Sequence, residues 1–73
     1  MFTKGKWEIN GAAQRLPDGR FAARACATYH AGLHVDDHPL EWSEPTFDTA
    51  GEAAAWGLQA GRAWLAVRED CGE

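Results

Sequence analysis

The stretch Phe21-Ala22-Ala23-Arg24-Ala25-Cys26-Ala27-Thr28-Tyr29 decides the fold. Its residues alternate between two faces. One face carries Phe21, Ala23, Ala25, Ala27 and Tyr29, and the other carries Ala22, Arg24, Cys26 and Thr28. A period of two is typical of a β-strand with one face turned to a core. Because alanine lines most of the core face, the element that covers it must also carry small side chains.

An element with small side chains lies near the C-terminal end. Thr49 and Glu52 have the spacing of a capping box, in which the threonine hydroxyl accepts a hydrogen bond from the Glu52 amide. The following segment contains no proline and predicts a helix at about residues 50–69, with a frayed tail at 70–73. Its apolar arc spans roughly 220° on a helical wheel. The arc contains Ala53, Trp56, Gly57, Leu58, Ala60, Gly61, Ala63, Trp64, Leu65 and Val67.

Two glycines in this arc have a cost and an expected use. Each destabilises a helix by about 1 kcal/mol relative to alanine. We therefore expect Gly57 and Gly61 to bring the helix backbone close to the alanine-lined strand. Small side chains then face small side chains, and tryptophans close the two ends of the contact.

Two further strands are predicted on either side of the alanine-rich strand. Trp7 and Ile9 alternate with charged residues, Leu40 and Trp42 alternate with polar ones, and residues 16–20 (LPDGR) predict a turn. The strands are expected within residues 3–16, 20–30 and 38–44. The predicted fold, over residues 1–73, is a single α+β domain. It has a three-stranded antiparallel meander followed by one C-terminal helix packed on one face (β-β-β-α).

The dipeptide Asn10-Gly11 leaves two structures open. It is the strongest two-residue hairpin signal in the chain and would split the first strand. The alternative is a bulge inside one long strand that turns at residues 17–19. We favour the bulge, because the segments on either side of the dipeptide are short partners for an isolated hairpin.

Charge and cysteine content exclude some classes of protein. Seven basic residues against eleven acidic ones give a net charge of -4, which argues against a dedicated nucleic-acid-binding protein. Two cysteines, Cys26 and Cys71, are too few for a disulfide scaffold and indicate reduced thiols.

The start of the chain lacks the apolar run of a signal peptide, and no stretch is long and apolar enough to cross a membrane. We therefore expect a cytoplasmic protein.

The turn at residues 17–21 and the helix start at Phe47, Thr49, Glu52 and Ala53 resemble those of several families of small uncharacterised bacterial proteins. The predicted architecture is also similar to a double-stranded-RNA-binding-like fold that lacks its first helix. In that RNA-binding family the last helix starts with a lysine-rich segment. Residues 51–55 (GEAAA) stand at that place here, so the resemblance concerns architecture and implies no catalytic residues or cofactor.

The segment from His30 to His38 (HAGLHVDDH) contains all three histidines of the chain. A metal site formed by His30, His34, His38 and Asp36 is one hypothesis, since imidazole and carboxylate groups are zinc ligands. The spacing matches no established zinc motif, and a glycine and a nearby proline argue against a helix that would align the histidines. We favour a polar loop without a specific metal and keep the metal site as the alternative.

Catalysis is not indicated by the remaining residues. Cys26 has Arg24 and His30 on its face, but neither a positioned base nor an oxyanion-binding loop can be identified. Glu41, Glu44 and Asp48 flank the third predicted strand and are expected to be solvated. We therefore expect neither an enzyme nor a cofactor.

The predicted function is a small non-catalytic binding or adaptor module of a bacterial cytosol. Its interaction surface is expected on the exposed sheet face, at Arg24, Thr28 and His30, with contributions from Glu8 and Glu41. Another protein, or a second copy in a homodimer, is expected to bind through this face or a sheet edge. A weak nucleic-acid-binding module is a further alternative, with Lys4, Lys6, Arg15, Arg20 and Arg24 as its basic residues.

Overall fold

The computed structural model of the chain describes residues 2–70 and contains four strands and one helix. The elements are β1 (Phe2–Lys4), β2 (Trp7–Arg15), β3 (Phe21–Ala31), β4 (His34–Phe47) and α1 (Ala50–Asp70). The strands form one antiparallel sheet in the order β1-β2-β3-β4, and α1 packs on one face of it. The α+β class is confirmed. The prediction of three strands is wrong, since the order is β-β-β-β-α. Most of the predicted frayed tail, with Cys71, lies outside the described residues.

Strand β1 is the element missing from the prediction. Lys4 pairs with Trp7 across the two-residue connection Gly5-Lys6, and Gly5 has a φ of 61°. Glycine with positive φ at the first central position is the requirement of a type II′ hairpin turn. β1 has only three residues, too few to show an alternating pattern, and this is why the first predicted strand absorbed it.

The histidine-containing segment is also a hairpin, so the prediction of a polar loop is wrong. Ala31 pairs with His34 across Gly32-Leu33, and Gly32 has a φ of 65°. β4 therefore begins at residue 34, not near residue 38 as predicted. Aspartates have low β-propensity, but pairing with the central strand compensates for this: Asp37 lies opposite Thr28 and accepts a 2.9 Å hydrogen bond from its hydroxyl.

Strand β2 runs without interruption through Asn10-Gly11. Its register with β3 is regular from Trp7 opposite Tyr29 to Arg15 opposite Phe21. One long strand is confirmed, but the bulge that we expected inside it is absent between Trp7 and Arg15. Gly11 has a different role, because a Cβ at this position would lie 2.2 Å from the Ala54 carbonyl oxygen of α1.

The helix packs on the sheet through a stripe of small residues. The stripe has i, i+4 spacing and consists of Ala53, Gly57, Gly61 and Leu65, all of them buried. A Cβ on Gly57 would lie 2.3 Å from the Arg24 carbonyl oxygen, and one on Gly61 would lie 2.7 Å from Ile9 Cγ2. The predicted close approach is confirmed. The predicted apolar arc was too wide, because Ala63 and Val67 are exposed.

Tryptophan pairs close the two ends of this contact. Trp7 of β2 meets Trp64 of α1 edge-on at 5.7 Å, and Trp42 of β4 meets Trp56 of α1 edge-on at 5.3 Å. Such edge-to-face pairs contribute about 0.5–1.5 kcal/mol beyond their buried area.

The predicted helix cap is present. The Glu52 amide donates to Thr49 Oγ1 at 3.2 Å, and the Thr49 hydroxyl donates in turn to Glu52 Oε1 at 3.1 Å. The helix begins at Ala50, where the sequence places it. The predicted turn at residues 16–20 is also confirmed, since the Gly19 amide donates to the Leu16 carbonyl at 3.0 Å.

Candidate functional site

The sheet face opposite α1, named here the outer face, carries no other element of residues 2–70. By register it includes Thr3, Glu8, Asn10, Ala12, Gln14, Ala22, Arg24, Cys26, Thr28, His30, Val35, Asp37, Pro39, Glu41 and Thr46. Most of these side chains are polar, and the predicted interaction residues Arg24, Thr28 and His30 all belong to it. Strand alternation therefore predicted correctly which side of the sheet these residues face, and their role in an interaction stays a prediction.

Arg24 supports the fold from this face. Its Nε donates to Gln14 Oε1 at 3.0 Å, and its Nη1 donates to the carbonyl oxygens of Trp42 at 3.1 Å and Ala23 at 2.9 Å. The register of β3 with β4 shifts between Ala22 and Arg24, which leaves the extra residues of β4 bulged opposite this position. The guanidinium group thus holds the bulge in place.

Thr28 and His30 are each paired with an acidic side chain. Thr28 donates to Asp37 Oδ1 at 2.9 Å, and His30 Nε2 lies 3.4 Å from Glu8 Oε1. Cys26 Sγ lies 3.7 Å from the Thr28 hydroxyl, and the His30 imidazole on the same face is directed at Glu8. The outer face is therefore an ordered polar surface whose groups hold one another in position.

The three histidines are divided between the two sides of the sheet. His30 lies on the outer face, whereas His38 packs on the α1 side against Trp7 and Trp64, with ring centroids 5.7 and 5.9 Å apart. His34 shares the side of His38 but lies four residues away along the strand, about 13 Å. Asp36 lies between them, and the proposed ligand set is not brought together. Within residues 2–70, no group of three or more His, Cys, Asp or Glu side chains is placed to hold a metal ion.

The free edge of β4 is a second candidate surface, and Pro39 reveals its hydrogen-bonding pattern. Pro39 pairs with Cys26 but has no amide proton, so this pair is one of the non-hydrogen-bonded pairs of the ladder. Because the pairs alternate, Val35 and Asp37 also direct their N–H and C=O groups away from β3. Sheet order places β4 at the edge, with no neighbour on that side among the described strands.

An independent hydrogen bond supports this assignment. His30, the partner of Val35 in the ladder, donates its amide to the Lys6 carbonyl at 2.9 Å, on the side away from β4. Leu33 is fully exposed and Val35 is 55% exposed, and they are two of the three large apolar side chains exposed among the described residues. One sequence signal for this edge is Gly32-Leu33, since glycine at the first position of a two-residue connection is typical of a hairpin turn, but the predicted polar loop did not include this turn.

Basic residues are dispersed over the molecule. Arg20 binds Asp48 and both oxygens of Thr46 at the far end of the sheet. On the opposite edge, a shallow groove of about 340 Å³ runs between β1 and α1, and its Arg62 guanidinium stacks at 4.4 Å over the Phe2 ring. The groove is lined by Phe2, Lys4, Gln59, Arg62, Ala63, Leu65 and Ala66.

No protein-family model, curated protein or solved structure matches this chain. The resemblance to small bacterial proteins and to the RNA-binding-like fold stays a prediction. The described helix α1 is not long and apolar enough to cross a membrane.

Proposed function

We propose that the protein is a non-catalytic binding module of the bacterial cytoplasm that takes an extended segment of a partner onto the free edge of β4. The observation that carries the proposal is the outward direction of the Val35 and Asp37 backbone groups, next to the exposed Leu33 side chain. Strand addition satisfies such backbone groups and lets the neighbouring side chains set specificity.

The chemistry of the edge indicates the chemistry of the partner. Asp36 faces the α1 side and Asp37 faces the outer side, so a bound strand meets a carboxylate on each of its faces. Thr28 holds the Asp37 carboxylate in place through their hydrogen bond. We expect a partner strand with an apolar residue opposite Val35 and with basic or hydroxyl side chains beside it, because opposite charges and hydroxyls form favourable cross-strand pairs.

Proline defines the limits of the usable edge. Pro39 offers no donor, and Pro45 lies farther along the same strand. Prolines and bulges on edge strands oppose unwanted pairing. The two prolines and the bulge protect the second half of β4 from pairing with another chain. The segment left open to a partner is residues 33–37, from the last turn residue into the first half of β4.

A peptide selection tests the proposal. Peptides are selected from a random display library against the wild-type protein, and their affinities are then measured for Val35→Pro and Glu41→Pro. Both substitutions remove an amide that faces the free edge, but only Val35 lies within residues 33–37. We expect binding to fall at least tenfold in Val35→Pro and to persist in Glu41→Pro, with both variants folded by far-UV circular dichroism.

Two results would contradict the proposal. One is the recovery of binders that tolerate Val35→Pro and perturb the amide resonances of Arg24 and Cys26 instead of those of Val35 and Asp37. The other is a selection that yields no peptide with an affinity better than about 1 mM, which corresponds to about -4 kcal/mol of binding free energy.

A further inference from the structure

We propose that a second copy of this chain occupies the free edge of β4, antiparallel to the first, about a two-fold axis that passes through Val35. This inference rests on the proposed function and names the partner of the same edge. Two-fold dimers are the commonest closed assemblies of identical chains, and here the two sheets join into one of eight strands.

Symmetry leaves few registers. A two-fold axis perpendicular to the sheet keeps every side chain on the same side of the sheet. Residues that lie opposite each other across the interface are therefore an even number of positions apart in the sequence, and the axis passes between one residue and its own copy. The outward backbone groups belong to Val35 and Asp37, and Pro39 lacks a donor. An axis through Asp37 would place Val35 against Pro39 of the second copy and lose a backbone hydrogen bond.

Charge selects among the remaining registers. An axis through Asp36 or Asp37 places each of these carboxylates directly opposite its own copy, and like charges directly opposite one another are destabilising. An axis through His34 would place Val35 opposite Leu33 in the hairpin turn of the second copy and Asp37 beyond that turn, so the outward backbone groups would face no strand. With the axis at Val35, the two valines meet, and His34 of each copy lies opposite Asp36 of the other.

The register at Val35 also satisfies the backbone. Val35 can exchange both of its hydrogen bonds with Val35 of the second copy, and Asp37 on each side lies opposite the turn residue Leu33 of the other copy. Pro39 then lies past the partner's hairpin turn, where no strand is left to pair with it. The exposed side chains of Leu33 and Val35 become partly covered in the same step.

The interface predicted in this way is small. Five residues of each copy take part, a length of about 17 Å, and contacts this small belong to weak or transient complexes. We therefore expect reversible association at high protein concentration, opposed by the net charge of -4 on each chain and strengthened by added salt.

Sedimentation equilibrium from about 10 µM to about 1 mM, the range suited to a small interface, measures the association. Val35→Lys places two like charges at the axis. Thr3→Lys adds the same charge on the same side of the sheet but at the opposite edge, since Thr3 pairs with Glu8 in β1. We expect the wild type and Thr3→Lys to dimerise and Val35→Lys to bind at least tenfold more weakly.

Disulfide trapping tests the register. In a Cys26→Ser, Cys71→Ser background, Val35→Cys should form an intermolecular disulfide in a glutathione buffer. Asp37→Cys should not, because in this register the two introduced cysteines lie about 13 Å apart along the strands, beyond the roughly 7 Å Cα limit of a disulfide. Cross-linking of Asp37→Cys without cross-linking of Val35→Cys would overturn the register.

The dimer and the proposed function can fail separately. A wild-type protein that stays monomeric to about 1 mM, while selected peptides still protect the Val35 amide, overturns the dimer and leaves strand addition standing. A monomer that also binds no peptide at this edge overturns both. A dimer unaffected by Val35→Lys places the interface elsewhere and overturns the inference.

Discussion

Gly57→Ala tests the close packing of helix on sheet with the smallest possible change. Alanine improves helix propensity by about 1 kcal/mol, so the substitution would stabilise an exposed helical site. At this site the new methyl group would lie 2.3 Å from the Arg24 carbonyl oxygen and 3.1 Å from its carbon. These are backbone atoms of the central strand, and no side-chain rotation can move them away.

The helix must therefore shift by about 1 Å to restore an ordinary van der Waals contact. This shift loosens the packing along the stripe of small residues, and overpacking of this kind typically costs about 1–3 kcal/mol. We expect the overpacking cost to lie at the upper end of this range, because the clash is with backbone atoms. After the gain in helix propensity is subtracted, the net destabilisation should be about 1–2 kcal/mol. In a chain of this size, that lowers the urea midpoint by about 1–2 M.

Gly51→Ala is the matched control. It makes the same chemical change in the same helix, but a Cβ at Gly51 meets nothing within 4 Å. We expect it to stabilise the protein by a few tenths of a kcal/mol to about 1 kcal/mol. Gly61→Ala should fall between the two, because its new methyl group meets a side-chain atom, Ile9 Cγ2 at 2.7 Å, and no backbone atom. Urea denaturation followed by tryptophan fluorescence measures all three, and a Gly57→Ala protein as stable as the wild type would refute the reasoning.

Three further outcomes are expected. Thr49→Ala should lower the free energy of unfolding by about 1 kcal/mol in the same assay, because the Glu52 amide loses its acceptor, and an unchanged value would remove the cap. Adding zinc, nickel or copper should not change the melting temperature of the wild type or of His34→Ala, since the histidines lie on both sides of the sheet. A rise of several degrees in the wild type that is absent in His34→Ala would establish a metal site. Duplex RNA should not bind at physiological salt, because the chain is acidic and its Arg20 is engaged with Asp48, and micromolar binding with a steep salt dependence would contradict this.

The parts of the fold that were predicted correctly depend on repeating patterns. Alternation along β3 and the run of small residues in α1 each extend over many residues, so single exceptions do not hide them. The glycines at 57 and 61 signalled close packing, because each has a cost in a helix that tertiary contact must offset.

The parts that were predicted incorrectly depend on single residues. Asn10-Gly11 has the local chemistry of a turn, but the approach of Ala54 from the helix decides the use of Gly11, and this contact is invisible in the local sequence. At Gly5 and Gly32 the error was the opposite one: no hairpin turn was predicted, and a hairpin turn is present. Each of these turns depends on a single glycine with positive φ. As a result the free edge of β4 was taken for a loop. The outer face, by contrast, followed directly from strand alternation.

Amide hydrogen exchange along β4 is the most direct test of the free edge. In dilute protein, the amides of Asp36 and His38 donate to β3 and should exchange slowly, whereas those of Val35 and Asp37 face solvent and should exchange rapidly. When a selected peptide or a second copy of the chain is bound, the Val35 and Asp37 amides should become protected while the other two change little. Protection of Val35 and Asp37 already in the dilute monomer, or rapid exchange at both amides in the complex, would contradict the account.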